Sequence, residues 1–98
     1  MKEIPEIPLV MQATTMEAER EIGFKWADAS VGRRSKIGGK PDLVQDGCRQ
    51  VCKSCGSEMT FYAQIDSVGD EVCLADVGMV YVFVCFDCFT SESFVQSA

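Results

Sequence analysis

Ninety-eight residues with six cysteines, no histidine and a formal charge of -6 describe one domain, and 47% hydrophobic with 24% charged residues is the composition of a globular chain, not a disordered one. The missing histidines exclude Ser-His-Asp and Cys-His catalysis and every metal site that needs an imidazole. Net acidity argues against general nucleic-acid binding, whose affinity comes mainly from neutralised phosphates.

Taken in chain order, residues 1–13 read as an extended segment, because Pro5 and Pro8 bar a regular helix or a central strand,. The same stretch puts two prolines and two glutamates where a signal peptide needs unbroken apolar residues, which points to the cytoplasm,. Thr14-Thr15-Met16-Glu17 fits a capping box, and Gly23 is placed to stop a short helix over 15–22,. Phe24 and Trp26 flank Lys25 in an alternation that suits the start of a strand,.

Residues 30–41 read as a loop, with three glycines and a proline; Gly38-Gly39 predicts a tight turn,. Pro41 after Lys40 rules out a phosphate-binding P-loop, in which Ser or Thr must follow the lysine and open a helix,. Six basic residues (Arg33, Arg34, Lys36, Lys40, Arg49 and Lys53) face only Asp42 and Asp46 between 33 and 53, a local +4 that leaves -10 elsewhere. Such a segment is a solvated loop or an electropositive patch for an acidic partner.

Two strands stand out. Met59, Phe61, Ala63 and Ile65 alternate with polar neighbours, predicting one buried face,. The run from Met79 to Val84 is β-branched and aromatic throughout, as in a strand covered on both faces,. Between them 66–78 is acidic, with Asp66, Asp70, Glu71 and Asp76; it lacks the alternating oxygen ligands of a calcium loop. Phe94 and Val95 predict a short last strand. The longest apolar run, 77–86, is ten residues, half of what a bilayer requires.

The informative residues are Cys52-Lys53-Ser54-Cys55-Gly56 and Cys85-Phe86-Asp87-Cys88. Each is a C-x-x-C pair, the spacing at which one tight turn directs two thiolates at a tetrahedral ion. The first pair precedes the strand 59–65 and the second follows the strand 79–84. If those strands pair antiparallel, both knuckles fall at one end of the hairpin, predicting a single four-cysteine zinc site. Cys48 and Cys73 are left over and read as free thiols. The expected fold is a mainly β domain, small β or α+β, with an antiparallel sheet and an inserted zinc-ribbon-like site.

The ordered blocks Gly38-Gly39-Lys40-Pro41, Gln64-Ile65-Asp66-Ser67 and Asp76-Val77-Gly78-Met79-Val80-Tyr81-Val82-Phe83 resemble the YwqG-like family of unknown function over about residues 20–95. The zinc knuckles resemble those of the programmed cell death protein 2 family. The resemblance implies a β domain with an inserted zinc ribbon and no established enzymatic activity. It also implies a chaperone-like or immunity-like role, as eukaryotic relatives escort a ribosomal protein and YwqG-like proteins have been linked to toxin immunity.

The chain therefore reads as a non-enzymatic protein-interaction module holding one structural zinc ion on Cys52, Cys55, Cys85 and Cys88. Its candidate partner surfaces are Arg33, Arg34, Lys36 and Lys40 in the basic loop and Asp66, Asp70 and Asp76 in the acidic one. The protein partner is unidentified, and neither nucleic acid nor membrane is expected. The alternatives are a thiol–disulfide redox protein using a C-x-x-C pair and a nucleic-acid-binding zinc ribbon.

Overall fold

A computed structural model describes residues 2–26, 30–42 and 50–96. Five strands form one antiparallel sheet in chain order: β1 (Ile7–Pro8), β2 (Lys36–Ile37), β3 (Thr60–Asp66), β4 (Met79–Val84) and β5 (Ser91–Gln96). Among the described residues one short helix, α1 (Met16–Glu21), lies between β1 and β2 and buries none of its residues. The protein is mainly β, as its strand-forming runs predict.

Local details shift three of the expectations. Thr15, not Thr14, caps α1, its hydroxyl accepting from the Ala18 N–H at 3.1 Å. The residue three on is therefore alanine, and the reciprocal half of a capping box is missing. Phe24 and Trp26 start no strand; their rings meet edge to face at 5.7 Å. The glycine-rich segment 30–41 contains β2, which registers Lys36 with Gln64 and Ile37 with Ala63. Pro8 is tolerated because β1 is an edge strand.

The decisive irregularity is in β3. Phe61 pairs with Phe83, but Ala63 pairs with Val82, so Tyr62 is the extra residue of a β-bulge,. One inserted residue reverses which side chains face inward. Beyond the bulge Gln64 opposes Tyr81 and Asp66 opposes Met79 on the buried face. Ile65, expected in the core, turns out to the other face and is 44% exposed.

The buried face has an aromatic half and a polar half. Phe83 lies between Phe61 and Phe94, with ring centroids 5.6 and 5.9 Å away, and Tyr81 stacks on Phe94 at 5.6 Å. In the polar half Gln64, fully buried, donates to the Arg34 carbonyl at 2.6 Å and to the Asp42 carboxylate at 2.9 Å. It accepts from the Asp42 N–H at 3.0 Å, while the Tyr81 hydroxyl donates to the Asp42 carbonyl at 2.6 Å. These bonds fasten Arg34 and Asp42, on either side of β2, to the buried face, and no buried side-chain polar atom among the described residues lacks a partner. β4 is not covered on both faces as its sequence suggests: Met79, Tyr81 and Phe83 are buried, whereas Val80, Val82 and Val84 are half-buried.

Candidate metal centre

The two C-x-x-C segments are turns of two hairpins with matching backbone geometry. In the first, the Cys52 N–H donates to the Ser57 carbonyl and the Gly56 N–H to the Cys52 carbonyl, both at 2.8 Å; the bridge Val51–Glu58 closes the hairpin. In the second, the Cys85 N–H donates to the Thr90 carbonyl at 2.8 Å and the Phe89 N–H to the Cys85 carbonyl at 2.7 Å, between β4 and β5. Both turns need a left-handed residue one place after the second cysteine. Gly56 supplies it at φ +77° and Phe89 at φ +59°.

The register of Thr60 with Val84 brings both turns to one end of the β3–β4 pair, as antiparallel pairing predicts. The Sγ atoms of Cys52, Cys55, Cys85 and Cys88 all lie within 4.8 Å of one another. Cys52 is 3.4 Å from Cys88 and Cys55 is 3.5 Å from Cys85. Four sulfurs around a tetrahedral ion with bonds of about 2.3 Å stand about 3.8 Å apart, within that spread. The four cysteines are thus positioned to bind a metal ion. Cys52 and Cys85 are buried; Cys55 and Cys88 are exposed.

The electrostatics of the cluster favour a cation. The N–H groups of Cys55 and Ser54 donate to the Cys52 sulfur and lower its thiol to about 6, against desolvation. Ser57 lowers Cys55 through its side chain and backbone. The N–H groups of Cys88 and Asp87 act in the same way on Cys85, but burial and the adjoining sulfurs of Cys55 and Cys88 prevail and push it up to about 11. Backbone donors thus stabilise thiolates in a place where several thiolates repel, and a divalent ion at the centre resolves the conflict.

The remaining candidate residues divide. Cys73, in the loop at the opposite end of the hairpin, lies 3.5 Å from the Ala75 carbonyl and is outside the cluster; Cys48 and Arg49 lie outside the described residues. Arg33, Lys40, Asp70 and Asp76 are exposed, and Asp70 accepts from the Lys25 N–H at 3.3 Å. Three other proposed surface residues are turned inward, which corrects that expectation. Lys36 is 8% exposed, its Nζ 2.7 Å from Glu6 and 3.6 Å from Asp42. Asp66 is buried and paired with half-buried Arg34 at 2.7 Å, because the bulge carries it to the core face.

Composition and periodicity miss Phe89, whose backbone shapes the second knuckle. The signal was present in the aligned pentapeptides, C-x-x-C-G in one knuckle and C-x-x-C-F in the other. No described helix is long and apolar enough to cross a membrane. No family model, curated protein or solved structure matches the chain.

Proposed function

We propose that the protein is a cytoplasmic protein-interaction module whose sheet is stapled by one zinc ion on Cys52, Cys55, Cys85 and Cys88. The reading rests on four sulfurs within 4.8 Å at the junction of two hairpins. An all-sulfur tetrahedral set is soft and suits zinc. The ion would tie the start of β3 to the turn between β4 and β5, so its binding free energy becomes folding free energy. Cys52, lowered to about 6 yet only 2% exposed, is shielded from disulfide substrates, which favours a structural role over thiol exchange.

Kinship with the YwqG-like and programmed cell death protein 2 families, and with it an escort or immunity role, belongs to this proposal. Arg33 and Lys40 with Asp70 and Asp76 are the charges left to meet a partner. The zinc content of purified protein tests the site: it falls to near zero when any one of the four cysteines becomes serine and is unchanged by Cys73→Ser. Affinity capture with charge reversals at the four exposed positions tests the surface. Unchanged recovery of bound protein would remove those loops from the account.

A further inference from the structure

Each knuckle presents its two sulfurs differently. Cys52 and Cys85, the first cysteines, are buried, whereas Cys55 and Cys88, the second, are exposed. The hairpins cross-pair these positions: exposed Cys88 lies 3.4 Å from buried Cys52, and exposed Cys55 lies 3.5 Å from buried Cys85. Each solvent-open sulfur of the cluster thus has a shielded sulfur of the other knuckle against it. An accessible thiolate beside a resolving cysteine is the arrangement of redox-sensing sites. Burial of Cys52 blocks a bulky disulfide substrate, but Cys55 and Cys88 stay open to an oxidant as small as hydrogen peroxide.

We infer that the four-cysteine site is a peroxide-sensitive switch that releases its zinc and closes two disulfides between the knuckles, Cys52–Cys88 and Cys55–Cys85. The inference rests on the zinc reading and assigns a regulation to that same site. In the first step an exposed thiolate, Cys55 or Cys88, attacks one peroxide oxygen. The O–O bond breaks, the sulfur becomes a sulfenic acid, and the departing hydroxide takes a proton to give water. The thiolate of the adjoining buried cysteine then attacks that sulfur, forming the S–S bond and expelling a second hydroxide, which is also protonated. Each disulfide therefore consumes one peroxide and two protons and gives two waters; its two electrons come from the two thiolates. After both have formed, no thiolate remains to hold the ion.

The pairing decides what oxidation does to the fold. Disulfides within the C-x-x-C pairs would leave the two knuckles unlinked once zinc departs. Disulfides across them join the first knuckle to the turn between β4 and β5, the same connection that the ion makes. They span sequence separations of 36 and 30 residues, long enough to restrict the unfolded chain substantially. The oxidised protein is thus expected to lose its metal while keeping its sheet.

The zinc-loaded full chain carrying Cys48→Ser and Cys73→Ser tests this when treated with about tenfold excess of hydrogen peroxide. A chromogenic chelator reads zinc release, and amide exchange follows β3 and β4. Cleavage after Lys53 and before Asp66, Asp76 and Asp87 puts the four cysteines on four separate peptides, so mass spectrometry reads the pairing directly. The expected result is loss of the bound zinc, the disulfides Cys52–Cys88 and Cys55–Cys85, protection retained in both strands, and renewed zinc binding after reduction. Zinc retained through the treatment overturns the inference, as do disulfides within either knuckle or strands that lose protection when the metal leaves. A protein with no zinc before peroxide is added overturns the metal reading and this inference with it, whereas one that holds a single ion and resists peroxide overturns the inference alone.

Discussion

Arg34 grips Asp66 through both carboxylate oxygens, Nε to Oδ2 at 2.8 Å and Nη2 to Oδ1 at 2.7 Å. The N–H groups of Gly32 and Arg34 also donate to Oδ2, at 2.8 and 3.0 Å. Burial alone would raise the Asp66 carboxyl; the guanidinium and these N–H donors prevail and hold it below the ordinary carboxylate range. The pair fixes the segment 30–42 and, through the Val77 carbonyl, the loop before β4. Arg34→Met leaves the buried carboxylate with its backbone donors but without its counter-charge and should cost about 2–3 kcal/mol in urea unfolding. A loss under 1 kcal/mol would mean that the contact is a surface pair with no structural role.

Because the folded carboxyl is lowered, its contribution is full above the unfolded value of about 3.9 and is lost as pH falls through the folded one. The stability difference between wild type and Asp66→Asn is therefore largest near neutrality and narrows below about pH 4. A difference that widens on acidification would contradict the pairing.

The matched knuckles predict unequal outcomes for the two exchanges. Gly56→Ala places a side chain at φ +77° and should destabilise the zinc-loaded protein by about 1 kcal/mol, whereas Phe89→Gly relieves strain that offsets glycine's greater chain entropy. Thermal midpoints that fall equally in both variants would mean that the two turns are not equivalent.

A Cβ on Gly69 would collide with the backbone oxygen of Glu21, with nothing flexible to yield. The contact lies where the Gly23 N–H donates to the Val68 carbonyl at 3.0 Å, tying the end of α1 to the acidic loop. Gly69→Ala should release α1, raising amide exchange across Met16–Glu21 while β3 and β4 keep their protection. Protection unchanged at both places would show that the helix end is not held there.

How far the sequence could be read follows from which rules are local. The C-x-x-C pairs and antiparallel strands combine into one cluster by pairing alone, so the four-sulfur site was legible from spacing. Ile65 reads as a core residue because the alternation rule assumes an unbroken register, and Asp66 reads as the start of an acidic loop; β3 instead runs through Asp66, and the bulge at Tyr62 turns Ile65 outward and Asp66 inward,. The same bulge places Asp66 on the buried face, where it meets Arg34. β2 escaped a reading by composition because its two residues pair through backbone groups in a glycine-rich segment that gives no periodic signal.

On the proposed function, Cys52, Cys55, Cys85 and Cys88 hold one zinc ion between the two hairpins. X-ray absorption at the zinc edge of the metal-loaded protein tests it most directly. The expected result is four sulfurs bound to zinc at about 2.3 Å with no nitrogen or oxygen scatterer. A shell with fewer than four sulfurs, or with oxygen or nitrogen at about 2.0–2.1 Å, would contradict it.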